Sequence, residues 1–237
     1  TDHISVTTGM WMCLQNNISF ISFTAHWLDS DFNLRHAALN VKHVEGQHTA
    51  QNIANALQEI PSRWECPLSK IHVIVHDNGR NVAKAVSEAA MNFACCFIHT
   101  LQLVVKDSLK VQPEVEETIA AERRIVTHFN HSGTAQEELK KFQENLGIAK
   151  HNLVQDITTC WNSTFYMLGR LFEQKRAISL YLTDTANISN LNAEQWEVVD
   201  QLLKLLKPLE EITKITSSNY SCLSGIIPDV VTLNRVF

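Results

Sequence analysis

The apolar run at residues 71–75, with the residues that follow it, constrains the fold of this chain more than any other feature. The run is rich in β-branched residues, which favours a buried strand, and Asp77 comes two residues after it. Beyond Asn78, apolar side chains recur at helical spacing, at Val82, Ala85, Val86 and Ala89. Because α/β sheets bind ligands at the carboxyl ends of their strands, Asp77 is a candidate ligand for a divalent metal ion.

The residues before this run predict three further strands. Residues 4–11, 18–28 and 32–44 are rich in Ile, Val, Phe and Thr, and turn-forming residues separate them, which favours an antiparallel meander. A helical pattern covers residues 48–60 and is expected to stop at Pro61. A helix over 78–91 and a short strand over 94–98 complete the first half. This order of elements is that of the ribonuclease H-like fold.

After Thr100 every long segment has helical periodicity. Helices are predicted over residues 101–111, 114–128, 135–146, 163–182 and 193–216, with Pro, Gly or polar residues between them. The expected architecture is an α/β ribonuclease H-like core at residues 1–111, followed by an all-α domain at 112–237. The core should contain a mixed sheet of three antiparallel hairpin strands and two parallel strands.

Composition limits the classes of protein that this chain can represent. The net charge of -5 provides no overall attraction to nucleic acid. The basic doublets at 123–124, 140–141 and 175–176 are mixed with acids and predict solvated helix faces. Six scattered cysteines suit a reducing compartment, the cytosol or the nucleus, and no apolar run approaches the roughly 18 residues of a membrane span. The chain begins at Thr1 rather than Met, so it is expected to be part of a longer protein.

Several motifs resemble those of the hAT superfamily of transposases. The clearest occupies residues 159–168, Thr-Cys-Trp-Asn-Ser-Thr-Phe-Tyr-Met-Leu, and continues with Arg170-Leu171 and Glu173-Gln174. Other similar segments lie at residues 24–27, 46–50, 77–85, 96–103, 128–132 and 226–228. Together they are most similar to the domesticated relatives of these transposases, the zinc finger BED domain-containing proteins. The resemblance implies a ribonuclease H-like core interrupted after its fifth strand by a helical insertion.

The resemblance also implies a catalytic centre of three carboxylates in active members of the superfamily. There, two metal ions about 4 Å apart activate water and stabilise the leaving oxygen during DNA cleavage. The position matching the first acid, two residues before Trp11, is Gly9, which has no ligand atom, and Asp2 lies too far upstream. Asp77 matches the second acid, and the third is expected beyond Phe237. Asp77 is therefore expected to be a vestigial catalytic residue, or to cap the following helix.

The same resemblance makes three residues candidate DNA contacts. Cys96 and His99 match positions beside the active site, near the DNA path, and the alternative is packing at a strand-to-helix corner. Trp161 matches an aromatic residue that stacks on a base near the cleaved transposon end, and the alternative is packing between helices. Its neighbour in the family is an Arg, where this chain has Cys160. No second Cys/His pair lies at a suitable distance from Cys96 and His99, so no metal site is predicted.

The leading hypothesis is a domesticated, catalytically inactive hAT-type protein that acts in the nucleus as a DNA-binding transcriptional regulator. DNA would be bound mainly by a BED zinc finger outside this chain, and Zn²⁺ is expected only there. No cofactor and no membrane are expected for the chain itself, and self-association is expected through a segment beyond Phe237. Two alternatives stay open. One is an active transposase that uses Mg²⁺, which Gly9 argues against, and the other is a protein–protein interaction scaffold, which suits the acidic balance.

The resemblance further predicts an incompletely covered sheet. In the family, the helix carrying the third acid returns after the insertion and packs on that sheet. Leaving about 300 Å² of apolar surface uncovered would forgo roughly 7 kcal/mol at about 25 cal/mol per Å². Residues 1–237 are therefore expected to be poorly soluble, or to self-associate through the exposed face.

Overall fold

A computed structural model describes residues 3–13, 15, 17–44, 46–157, 160–184, 188–218 and 221–237. Asp2 and Thr159 lie outside the described residues. The chain divides into two compact units, Thr1–Thr100 and Leu101–Phe237. This division falls eleven residues before the domain boundary placed at 111/112 from the sequence, which stays a prediction.

In the described part of the first unit, five strands form one mixed sheet. They are β1 (Ile4–Cys13), β2 (Ile18–Leu28), β3 (Leu34–His43), β4 (Ile71–His76) and β5 (Phe93–Cys95). Their order across the sheet is β3-β2-β1-β4-β5. The pairs β1–β2 and β2–β3 are antiparallel, whereas β1–β4 and β4–β5 are parallel. The predicted sheet of three hairpin strands and two parallel strands is therefore confirmed.

Two helices cover one face of this sheet and enclose the core of the first unit. They are α1 (Ala50–Arg63) and α2 (Arg80–Glu88). The largest fully buried side chains of this core are Ile21, Phe23, Ile53, Leu57, Ile60 and Ile74. Successive strand residues point to opposite faces, so the neighbours of inward residues emerge on the other side. There Trp11 is 46% exposed and Val41 is 53% exposed. Whether this face drives self-association stays a prediction.

Two predicted element ends in this unit are wrong. α1 does not stop at Pro61 but continues to Arg63. Pro61 lies in the last turn, where the missing N–H removes only one helical hydrogen bond, and the ring is buried. Its carbonyl accepts the N–H groups of Trp64 and Cys66 at 3.1 and 3.0 Å. The strand predicted over 94–98 ends at Cys95, because the next helix already begins at Phe97.

The described part of the second unit is all-helical, as predicted. Its elements are α3 (Phe97–Val111, which begins in the first unit), α4 (Pro113–His131), α5 (Gly133–Asn145), α6 (Trp161–Glu173), α7 (Lys175–Asp184), α8 (Ala193–Thr216) and α9 (Ile226–Val236). The single helix predicted over 163–182 is in fact two helices, α6 and α7, that separate at Gln174. Among the residues that the structure describes, no helix combines the length and the apolar character that crossing a bilayer requires.

Candidate functional site

Asp77 lies directly after the carboxyl end of β4, at the position that the sequence pattern predicted. Its Oδ1 atom accepts the backbone N–H of Gly79 at 3.1 Å. Gly79, not Asp77, is the N-cap residue of α2. The alternative that Asp77 caps the helix is therefore wrong in detail, because its carboxylate closes the turn between β4 and α2 instead.

Gly9 lies in β1, one residue after the last residue that pairs with β4. Thr8 pairs in parallel register with His76, the last residue of β4, so Gly9 follows this pair within β1 and Asp77 follows it in the connection to α2. A Cβ atom built on Gly9 would meet only the Ser22 Oγ atom, at 4.0 Å. The position thus has room for a side chain, yet it supplies no ligand atom to accompany the Asp77 carboxylate.

The described residues contain no group of three or more His, Cys, Asp or Glu side chains that could hold a metal ion. Asp77 has one carboxylate oxygen engaged by the Gly79 N–H. One half-buried carboxylate beside a glycine can bind a hydrated cation weakly. It does not by itself provide the paired acidic ligands that position two metal ions.

Cys96 is held next to the same end of β4. Its N–H donates to the His76 carbonyl at 2.8 Å. Asn78 Nδ2 donates to Thr100 Oγ1 at 3.1 Å, and that hydroxyl donates to the Cys96 carbonyl at 3.1 Å. These bonds tie the turn after β4 to the first turn of α3, where His99 is exposed. The structure therefore brings Asp77, Asn78 and Cys96 to one corner of the first unit. Sequence reasoning did not identify Thr100 as the link.

Trp161 is the first residue of α6 in the second unit, and it is only 4% exposed. It lines a cavity between α3, α4 and α6 together with Ile119 and Thr164. Such low exposure favours the packing alternative for its indole ring. Stacking of this ring on a nucleic-acid base stays a prediction.

An ion pair between the partly exposed Arg123 and the buried Asp156 lies beside this cavity. The Nε and Nη2 atoms of Arg123 donate to Asp156 Oδ2 at 2.9 and 2.7 Å, and Thr164 Oγ1 donates to the same oxygen at 3.0 Å. Burial opposes ionisation of Asp156, but the hydrogen bonds and the charge of Arg123 outweigh it, so the pKa of Asp156 is below its ordinary value. The doublet is partly solvated, since Arg124 is exposed and the Arg123 side chain is 34% exposed, but the guanidinium group of Arg123 is paired with Asp156.

Glu122 adjoins this pair and has the opposite electrostatic environment. Its side chain is fully buried, and neither carboxylate oxygen has a hydrogen-bond partner among the described residues. Burial raises its pKa to about 8, with the charge of Arg123 opposing that shift and the charge of Asp156 adding to it. No local sequence signal distinguishes Glu122 from the exposed acids of α4. Asp156 also lies in a segment without periodicity, so sequence reasoning missed both.

Comparison with known proteins agrees with the division into a sheet unit and a helical unit. The family model described as the ZBED1 RNase-like domain matches residues 7–96, and the one described as the ZBED1 RNase-like helical domain matches residues 94–205. Among curated relatives, human zinc finger BED domain-containing protein 4 is 30% identical over 98% of this chain and 20% of its own length.

Two further relatives broaden this picture. The putative AC transposase of Zea mays is 29% identical over 90% of this chain and 28% of its own length. The putative transcriptional regulator tpeD of Talaromyces stipitatus is 25% identical over 82% of this chain and 27% of its own length. The chain thus spans between about a fifth and just over a quarter of the length of these three relatives. It belongs to the zinc finger BED domain-containing family of proteins derived from hAT-type transposases.

Proposed function

We propose that this chain is the core of a domesticated, catalytically inactive hAT-type protein that regulates transcription in the nucleus. The observation that carries the proposal is Gly9, a residue without a ligand atom, directly after the last β1–β4 pair, Thr8 and His76, with Asp77 directly after His76. In a two-metal mechanism, carboxylates from neighbouring strands bridge and position the ions. Glycine at position 9 provides no such carboxylate. The carboxylate of Asp77 already accepts a hydrogen bond from the Gly79 N–H.

Recognition of duplex DNA is assigned in this proposal to a BED zinc finger carried elsewhere in the protein. The name of the human relative supports the finger, and the name of the fungal relative supports a regulatory role. The net charge of -5 also favours placing the main DNA contact outside this chain. Zn²⁺ would then belong to the finger, and this chain would need no cofactor of its own.

Within the chain, the proposal gives supporting roles to four residues. Asp77 is the vestigial acid, and it now stabilises the turn that positions α2. Cys96 and His99 lie at or next to the corner where β4 meets α3, and the exposed imidazole of His99 is available to a passing DNA strand. Trp161 is proposed as a DNA contact by family resemblance alone. Its ring would have to become more exposed before it could stack on a base.

An active transposase is the second candidate, because the maize relative is named a putative AC transposase. The two candidates predict different outcomes for metal-dependent DNA cleavage that requires Asp77. Purified protein incubated with duplex DNA and Mg²⁺ or Mn²⁺ should produce no nicks and no strand transfer. Nicking that disappears in Asp77→Asn would establish the active alternative. This variant is a suitable probe, because an Asn amide oxygen can still accept the Gly79 N–H and preserve the turn.

Gly9→Asp provides the converse test. A side chain fits there without a steric clash, and its carboxylate would project beside Asp77. Gly9→Asp should therefore bind Mn²⁺ about tenfold more tightly than the neutral control Gly9→Asn, a difference of about 1.4 kcal/mol measured by calorimetric titration. Equal affinity in the two variants would mean that position 9 does not face the Asp77 carboxylate, and Gly9 would then no longer explain catalytic inactivity.

A further inference from the structure

Two histidines lie side by side on the face of the sheet that α1 and α2 do not cover. His26 of β2 and His36 of β3 are directly opposite each other in antiparallel register. Buried residues alternate along β2 up to Ala25, so His26 projects to the uncovered face, and its cross-strand partner does the same. The centroids of the two imidazole rings are 6.1 Å apart. Because His36 is exposed and His26 is half-buried, small ions in the solvent can reach the pair.

Thr7 of β1 provides a hydrogen-bond partner for one nitrogen of this pair. Its Oγ1 atom lies 3.0 Å from His26 Nε2. In the tautomer in which Nε2–H donates to this hydroxyl, Nδ1 carries the lone pair and is the nitrogen that can bind an ion. Metal-binding histidines usually donate their second ring N–H to such a partner, which fixes the tautomer and the orientation of the ring. Thr7 is therefore placed as a positioning residue for His26.

The electrostatic surroundings favour neutral imidazole rings, the form that binds metal ions. Burial lowers the pKa of His26, and the charge of a protonated His36 lowers it further. The strand register also shows which described residues of β1, β2 and β3 share this face, and none of them is a lysine or an arginine. They are Ser5, Thr7, Gly9, Trp11, Phe20, Ser22, Thr24, His26, His36, Ala38, Val41 and His43.

We propose that His26 and His36 together bind a late divalent transition-metal ion, of the class of Ni²⁺, Cu²⁺ and Zn²⁺, with water in the remaining coordination positions. Imidazole suits these ions, whereas Mg²⁺ and Mn²⁺ prefer oxygen ligands. With metal–nitrogen distances of about 2.0–2.1 Å, two imidazole centroids on one tetrahedral ion lie roughly 5 Å apart. A small rotation of the exposed His36 ring therefore brings both nitrogens within reach of one ion.

The site has two protein ligands, and neither belongs to the corner that contains Asp77. The bound ion would link β3, which is an edge strand of the sheet, to β2. It would take no part in DNA recognition or cleavage, so this inference goes beyond the proposed function.

Calorimetric titration of the full 237-residue chain with Ni²⁺, without any purification tag, tests the proposal. Ni²⁺ is the probe because thiolates favour Zn²⁺, and the chain has six cysteines. Wild-type protein should bind Ni²⁺, and His36→Gln should weaken binding at least about tenfold, because the second ligand of the chelate is lost. The matched control is His43→Gln, an exposed histidine of the same strand and face, which should change the affinity by less than about twofold.

Thr7→Val tests the positioning role. Valine has a similar shape and also favours strands, so the sheet should be preserved while the hydroxyl is lost. The affinity for Ni²⁺ should fall about tenfold, and Thr7→Ser, which keeps a hydroxyl, should retain most of it. Equal affinities in wild type and Thr7→Val would overturn the role given to Thr7.

Histidine carbethoxylation, measured by mass spectrometry, shows where the ion binds. Saturating Ni²⁺ should slow the modification of His36 and leave that of His43 unchanged. Four results would overturn the proposal: no Ni²⁺ binding, equal losses in His36→Gln and His43→Gln, no protection of His36, or displacement of Ni²⁺ by an equal concentration of Mg²⁺. Failure of the proposed function would instead appear as metal-dependent nicking that requires Asp77, which none of these experiments measures.

Discussion

Two buried acids in the second unit, Glu122 and Asp156, have opposite ionisation behaviour, although the charge of Arg123 acts on both. Asp156 accepts three hydrogen bonds on one oxygen, from Arg123 and Thr164, which stabilise its charged form. Glu122 has no comparable donors among the described residues, so burial dominates and the neutral acid is preferred. At neutral pH this part of the protein therefore carries one ion pair and one protonated carboxyl group.

Glu122→Gln should increase the free energy of unfolding at neutral pH. The pKa of Glu122 is about 8 in the folded protein against an ordinary value of 4.5. Between these values the folded state binds more protons than the unfolded state, so Glu122 lowers stability progressively as the pH rises. Below about pH 4.5 both states are protonated and the penalty vanishes. Gln removes this titration, and the gain at about pH 7 should be on the order of 3 kcal/mol.

Urea unfolding across the range from about pH 4 to pH 8 measures this effect. The control is Glu117→Gln, an exposed position on the same helix, which should change stability by less than about 0.5 kcal/mol at every pH. A Glu122→Gln protein that is less stable than wild type at high pH would mean that Glu122 is ionised and paired in the folded state.

At the scale of elements, the segment between α5 and α6 is fixed by side chains from both neighbouring helices. Gln174 Nε2 donates to the Ala149 carbonyl at 3.1 Å, and Gln143 Nε2 donates to the His151 carbonyl at 2.9 Å. The two amides are joined, because Gln143 Nε2 also donates to Gln174 Oε1 at 3.0 Å. Gln174 lies where α6 gives way to α7, so the break between these helices places its side chain inside the unit.

Gln174→Ala should destabilise the second unit by about 1–3 kcal/mol, because it removes the two hydrogen bonds that the buried Gln174 amide makes to Gln143 and to the Ala149 carbonyl. Thermal unfolding measures the loss. Hydrogen exchange should also accelerate in residues 149–153 more than in α8. The exposed Gln201→Ala, which loses only a bond to Glu197, is the control and should stay within about 0.5 kcal/mol. Unchanged exchange in residues 149–153 would show that other contacts hold the segment.

At the scale of the whole molecule, the net charge of the chain and the local charge of one cavity have opposite signs. The net charge of -5 opposes association with a DNA duplex, whereas the cavity between α3, α4 and α6 is locally positive. A polyanion is therefore attracted only over a short distance, within about 10 Å at ordinary ionic strength. Such a distribution suits a protein whose main DNA contact lies in another domain.

The isolated chain should bind duplex DNA weakly and without sequence preference. Specific DNA-binding proteins reach dissociation constants of about 10⁻⁸ M or lower, through many phosphate contacts and direct base contacts. The net charge of -5 opposes such phosphate contacts, and the basic doublets of this chain are mixed with acids. Fluorescence anisotropy with several unrelated duplexes at about 0.15 M salt measures the affinity and its selectivity. Nanomolar binding to one sequence would place the DNA-reading function within this chain rather than in a separate finger.

The sequence by itself determined the order of strands and helices, the change from α/β to all-α, and the absence of a carboxylate at Gly9. These properties are encoded locally, in apolar periodicity and in residue identity. The ends of several elements could not be predicted from the sequence. Helix propensity overestimates how strongly a proline such as Pro61 ends a helix when the proline lies in the last turn. Gln174 likewise interrupts a pattern that is continuous in the sequence.

Only the tertiary structure decided which distant residues share an environment. Parallel pairing of β1 with β4 sets Thr8 beside His76, one residue before Gly9 and Asp77, and packing in the second unit brings Arg123 to Asp156, 33 residues away. The same packing buries Glu122, encloses Trp161 and aligns Lys106 and Lys110 along one wall of a cavity. Burial and charge at these positions depend on neighbours contributed by other elements. The local pattern around each residue therefore contains no information about its pKa, its exposure or its partner.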